Sequence, residues 1–119
     1  MNTKQVADRL VELCRKGDFE VAQKELFAND AVSVEPYDTP DFAKETKGLT
    51  SILQKGEKWG AMVDKVNKLE VSDPVVAANS FAFTMHLDIN MKDKRSMDIS
   101  ELCVYTVKDG KILMEEFFM

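Results

Sequence analysis

The sequence predicts an α+β domain: three helices in the N-terminal half, packed on a strongly curved antiparallel sheet that encloses a pocket. Two observations carry this. Apolar residues recur at helical spacing through the first half, then at strand spacing from Val63 onward. Helices first and long strands afterward is segregation, not the alternation of a βαβ chain.

Taken in order, Val6, Leu10, Leu13 and Cys14 form one stripe of a helix near 3–16. Its other face carries Lys4, Asp8, Glu12 and Lys16. Gly17 is a stop, and Asp18 an N-cap for a second helix near 18–28 with Phe19, Ala22 and Leu26 on one face. Residues 31–35 are a short extended run halted by Pro36, which biases Glu35 to the β region. Residues 37–47 are polar, contain Pro40 and read as a loop or flap. Gly48 opens a third helix near 48–58, with Leu49, Ile52 and Leu53 apolar and fraying expected from Gly56 to Gly60.

Val66, Leu69 and Val71 lie on a strand run that ends at Asp73-Pro74. Residues 75–91 read as one long strand, with Phe81, Phe83, Met85, Leu87, Ile89 and Met91 on one face. Ala82, Thr84, His86, Asp88 and Asn90 lie opposite. A charged turn, Lys92-Asp93-Lys94-Arg95, leads into a strand over 96–107, and Lys108-Asp109-Gly110 is a hairpin signal before a closing strand, 111–119. No repeat or linker divides the chain, so 1–119 reads as a single domain.

At 119 residues, 45% hydrophobic and 31% charged, the chain is long enough for one core and far from disordered compositions. Its net charge of −5, with Lys and Arg spread thinly, argues against nucleic acid or an anionic membrane as partner. The N-terminal residues run straight into an amphipathic pattern, and no apolar run approaches a membrane span. Cys14 and Cys103 have no metal-like spacing and read as reduced, buried thiols. The expected compartment is the cytoplasm.

The residues resemble a known superfamily. Lys16-Gly17-Asp18-Phe19 stands between two helices, Leu26 to Ala31 enters a strand, and Glu35-Pro36 closes it. Lys47-Gly48 precedes the third helix, and Lys108-Asp109-Gly110-Lys111-Ile112 sits near the end. In that order and spacing they resemble the nuclear-transport-factor-2-like (cystatin-like) superfamily, in particular its ketosteroid isomerase and SnoaL-like polyketide cyclase branches. The resemblance implies a cone-shaped fold, a ligand pocket and a homodimer. In the ketosteroid isomerases a carboxylate base precedes the proline that ends the first strand, and Glu35 occupies that place. Their two oxyanion donors, a tyrosine and a protonated aspartate, fall at Leu10 and Cys103, which are poor donors.

Glu35 is therefore the candidate catalytic base, since a carboxylate facing an apolar cavity has its pKa raised toward working pH. The alternative is a solvated strand-end glutamate, because Val32 and Val34 form the apolar set of their strand and Glu35 lies opposite. Glu101, Cys103, Tyr105 and Val107 share one face, so if the resemblance places Cys103 at the pocket, Glu101 and Tyr105 follow. Each is a ligand-contact candidate, with a rim charge for Glu101 and an amphipathic core tyrosine as the bland readings. Trp59, Phe83 and Met85 are core-type residues that also line a pocket in such a fold.

A Cys103–His86 dyad is disfavoured because His86 points away from the apolar face. A lone histidine builds no metal site, and no cofactor is expected. Of Glu115 and Glu116 one faces inward; a three-residue hairpin loop with Gly110 as bulge selects Glu115.

The expected function is that of a small-molecule-binding SnoaL-like protein with isomerase- or cyclase-like proton chemistry on an apolar ligand. The alternatives are a non-catalytic binding module and a homodimeric scaffold of the same fold.

Overall fold

A computed structural model describes residues 1–119. Helices α1 (Thr3–Arg15), α2 (Phe19–Leu26) and α3 (Leu49–Met62) lie on one face of a seven-stranded sheet. The strands are β1 (Phe27–Val34), β2 (Glu45–Lys47), β3 (Val63–Val71), β4 (Val75–Ala77), β5 (Ser80–Met91), β6 (Ser96–Lys108) and β7 (Lys111–Phe118). Their order is β2-β1-β7-β6-β5-β3, with β4 paired to β5. This is the expected α+β architecture.

Helix α1 begins with a capping box in which Asn2 and Gln5 satisfy each other's backbone N–H. Its stripe Val6, Leu10, Leu13 and Cys14 is buried in the core with Phe81, Phe83, Tyr105 and Ile112. Gly17 takes φ 74° and ends the helix as expected. Asp18 makes no side-chain cap bond, so its expected capping role is not realised.

Four further expectations need correction. The second helix ends at Leu26 rather than near 28, and β1 starts at once from Phe27. Residues 45–47 are not loop: they pair antiparallel with β1, Ser33 facing Thr46. Helix α3 does not fray at Gly56 or Gly60 but runs to Met62. Each glycine costs about 1 kcal/mol against alanine, but α3 rests on both α2 and β1, and Gly56 lies close to the Gln23 side chain. Lastly, 75–91 is a hairpin, because the chain turns at Ala78-Asn79 and folds β4 back on β5. Ala78 takes φ 53° there, which a non-glycine rarely does.

The sheet is antiparallel in every pairing but one. β1 and β7 run parallel, with Ser33 beside Glu115 and Val34 beside Glu116. The whole of α3 and β2–β6 connects them, ample for the long crossover a parallel pair needs. The inward face of β5 is the predicted one: Phe81, Phe83, Met85, Ile89 and Met91 are buried, and Leu87 is half-buried. No helix is long and apolar enough to cross a membrane.

Candidate functional site

The inward face of β1 is its polar one. Ala31 and Ser33 are both 0% exposed, whereas Val32 and Val34 are half-buried on the other side. Small residues let α3 approach the strand closely, and Glu35 continues the inward alternation just past the strand end. The alternation of apolar residues pointed to the opposite face, because the polar groups turned inward here are partnered by one another.

Lys55, on the inner side of α3, donates to Glu35 Oε1 at 3.0 Å and to Ser33 Oγ at 2.7 Å. The side chains of the Lys55–Glu35 pair are only 16% and 24% exposed. An ammonium has no lone pair, so the Ser33 hydroxyl accepts from Lys55 and sends its own proton to Glu115 Oε2 at 2.8 Å. Tyr105 donates to Glu115 Oε1 at 3.0 Å. Both oxygens of this buried carboxyl are thus partnered. Burial nevertheless pushes the Glu115 pKa up, opposed by the Ser33 bond and the Lys55 charge.

The cluster spans three neighbouring strands in register: Ser33 on β1, Glu115 on β7 and Tyr105 on β6, with Phe81 on β5 next in the row. Tyr105 stacks on Phe81 at 5.0 Å and on Phe83 at 5.5 Å, and meets the edge of Phe27. Burial raises its hydroxyl pKa well above the ordinary value, with Glu115 adding to the effect. Tyr105 is therefore a neutral donor at any physiological pH.

One row along, Cys103 lies opposite Phe83, and Glu101 opposite Met85. Cys103 Sγ points at Glu101 Oε1 at 3.8 Å, a weak donor contact. Glu101 has its pKa raised to about 7 by burial first, then by the charges of Glu35 and Glu115. It is the carboxyl poised to change protonation near neutrality. The Cys103 thiol is raised, by burial and then by Glu101, which removes it as a nucleophile.

The expected residues do not all meet. Glu35, Glu101, Cys103 and Tyr105 gather around the buried cluster, and Phe83 and Met85 floor it from β5. Trp59 is half-buried further along α3, edge-on to Phe42 of the loop after Glu35 at 6.3 Å. Lys58 sits over the same Phe42 ring and also binds the Asp41 carbonyl. His86 lies on the outer sheet face against Asp98, away from Cys103. Two surface recesses of about 250 Å³ each are lined by Glu70, Ser72, Thr84, His86 and Ser100, and by Met62, Met91 and Arg95, among others. Neither touches Glu35 or Glu101.

Sequence reasoning missed Lys55 and Ser33. The signal for Lys55 was its place between Ile52 and Trp59, at i+3 and i+7 on one helix face. Glu115 was one of two candidates, and the selecting device differs from the expected one. The hairpin is a two-residue turn, Asp109-Gly110, with both residues at positive φ. The extra residue falls in β7 instead: Val107 pairs Ile112 but Thr106 pairs Met114, so Leu113 is bulged. That bulge turns Glu115 inward.

Fold and cluster together describe a nuclear-transport-factor-2-like chain with a polar end to its apolar interior. The chain belongs to the SnoaL-like domain family, whose model matches residues 1–119. A candidate SnoaL-like polyketide cyclase from Mesorhizobium loti is 28% identical, with all of both chains covered and a TM-score of 0.92. A candidate isomerase from Bacillus subtilis is 17% identical over 98% of this chain and 88% of its own, with a TM-score of 0.74. TerC, co-crystallised with polyporic acid, is 12% identical over 97% and 88%, with a TM-score of 0.77. No curated protein matches the chain.

Proposed function

We propose that this chain binds a small apolar molecule and carries out isomerase- or cyclase-like proton transfer on it, with Glu35 as general base. The supporting observation is the placement of Glu35: a strand-end carboxylate, three-quarters withdrawn from water and charge-coupled to Glu101 and Glu115. Glu101 then serves as the acid. A carboxyl with pKa near 7 is half protonated at working pH and exchanges a proton with the ligand in either direction. Phe83, Met85, Cys103 and Tyr105 supply the apolar contacts, and Trp59, held against Phe42, stands outside them. The polyporic acid bound to TerC is consistent with a carbonyl-bearing aromatic as ligand class.

The test is α-proton exchange of 2-tetralone into deuterated water, followed by NMR. The protein should accelerate exchange above buffer, and Glu35→Gln should lower that rate by on the order of 10²–10⁴. Exchange at the buffer rate, or exchange indifferent to Glu35→Gln, overturns the base assignment.

The second reading is a binding module without turnover. Its support is the pairing inside the cluster: Lys55 already holds Glu35, and Glu115 already has a donor on each oxygen. Native mass spectrometry of gently purified protein separates the two, because a module retains its ligand while an enzyme releases product.

A homodimer through the outer sheet face goes with either reading. That face carries His86, Val104 and Thr106, together with Leu102 and Phe118 at 41% and 49% exposure. Light scattering at tens of micromolar should give twice the chain mass; a monomer mass overturns this.

A further inference from the structure

Lys55 is the one cation in a cluster otherwise made of carboxyls, the Ser33 and Tyr105 hydroxyls and the Cys103 thiol. It offers three N–H donors, and the protein takes two of them, through Ser33 Oγ and Glu35 Oε1. The third is unspent, on a side chain that is only 16% exposed and so poorly hydrated. Its position cannot drift: the Ser33 hydroxyl is locked by Glu115, which is locked in turn by Tyr105. An unspent, fixed ammonium beside a base is the arrangement that stabilises an oxygen gaining negative charge.

We propose that Lys55 is the electrophile of this site, holding the carbonyl oxygen of the ligand while Glu35 takes the proton from the adjacent carbon. The inference rests on the reading of Glu35 as base and names the substrate class for it: a small ketone with an enolisable α-hydrogen, or the matching phenol. A carbonyl oxygen and its α-hydrogen are separated by only two heavy atoms, so one ligand reaches both Lys55 Nζ and the Glu35 carboxylate. In the step, the C–H electron pair becomes the carbon–carbon double bond of the enolate. The proton goes to Glu35 and the charge to the oxygen facing Lys55. Return of a proton from Glu35 or Glu101 to carbon completes the transfer with no other reactant.

Leu10 and Cys103 donate nothing useful to that oxygen, so Lys55 supplies a donor from a different wall, α3 instead of α1 or β6. The charges facing it are Glu35, Glu101 and Glu115, with the neutral Tyr105 and Cys103 behind. Three carboxylates oppose an anion. Below about pH 7 Glu101 is protonated, which removes one of these charges, and that of Glu35 leaves when it accepts the proton.

The test uses 2-naphthol, a phenol whose anion fluoresces apart from its neutral form, with naphthalene as control. Wild-type protein should bind both. Its preference for naphtholate over naphthol should exceed that of Lys55→Met by roughly ten- to hundredfold, the worth of one hydrogen bond to a charged group. Naphthalene affinity should be unchanged in the variant. Lys55→Arg keeps the charge and should keep most of the preference. Glu35→Gln should strengthen it, because the competing carboxylate is gone. If naphthalene binds but Lys55→Met keeps the wild-type preference for the anion, the role of Lys55 is overturned while the pocket stands. If naphthalene does not bind the wild type, the pocket itself fails. Should Lys55→Met not fold, Lys55→Arg and Glu35→Gln still decide, since a preference unmoved by Glu35→Gln means the anion is not at this ammonium.

Discussion

Ser33 and Glu115, 82 positions apart, lie side by side on parallel strands with the serine hydroxyl donating to the carboxyl at 2.8 Å. Ser33 also accepts from Lys55, so this one hydroxyl joins the edge of the site to its buried centre. Removing it strips one partner from each neighbour at once. Ser33→Ala should destabilise the fold by about 1–3 kcal/mol, and Tyr105→Phe by a similar amount. Both act on the same carboxyl, so the double variant should fall short of the sum by at least about 0.5 kcal/mol. Urea denaturation of the four proteins checks this; strict additivity means Glu115 does not couple them.

Stability should fall as pH rises toward neutrality. Glu101 has a folded pKa of about 7 against an ordinary 4.5, so the fold prefers its neutral form. That preference is fully present below about pH 4.5 and is lost progressively up to about pH 7, with Glu115 acting in the same direction. For Glu101 alone the loss amounts to at most about 3 kcal/mol. Glu101→Gln should flatten this slope while leaving the low-pH stability nearly unchanged. Denaturation midpoints at pH 5, 6, 7 and 8 decide it, and parallel curves for the two proteins rule the assignment out.

Both thiols should be inert in the folded protein. Burial pushes Cys14 up to about 12 and raises Cys103 as well, so neither holds thiolate near neutrality, and both are buried. A disulfide reagent at pH 8 should label them only as fast as the protein opens, and both should react at once in denaturant. Rapid native labelling of Cys103 alone would reveal a solvent path into the site from the β6 side.

The fold was legible because its two halves use different periods. The stripe Val6, Leu10, Leu13, Cys14 has no strand reading, and Phe81, Phe83, Met85 has no helix reading. The β4–β5 turn was hidden because Ala78 adopts a left-handed φ that nothing in Val76-Ala77-Ala78-Asn79 advertises beyond the asparagine. The parallel β1–β7 pair was hidden for another reason: partners 82 positions apart leave no local mark. Glu35 was singled out through the proline that follows it and the resemblance that gives the position meaning. Lys55 was not, because a lysine on a helix with Lys58 and Glu57 reads as a solvated side chain until a carboxylate and a hydroxyl are placed against it.

The last prediction concerns the chemistry of the resembling isomerases. Leu10 and Cys103 are 2% and 0% exposed and lie in the same core cluster as Tyr105, and they are the residues that the resemblance sets at the oxyanion-donor positions of those enzymes. Neither stabilises a developing enolate, and each missing donor is worth on the order of 10²–10³ in rate. A steroid 5-en-3-one should therefore show no appreciable turnover by the natural protein. Leu10→Tyr with Cys103→Asp should raise its conversion, provided the fold absorbs the added volume at Leu10. Overpacking of that kind costs about 1–3 kcal/mol, so the thermal midpoint is measured alongside the rate. If the double variant folds and stays inactive, the deep end of the site does not reach a steroid carbonyl, and only smaller ketones near Lys55 remain as substrates. Fast conversion by the natural protein, abolished by Glu35→Gln, would instead show that Lys55, Glu101 or Tyr105 already supplies what Leu10 and Cys103 lack.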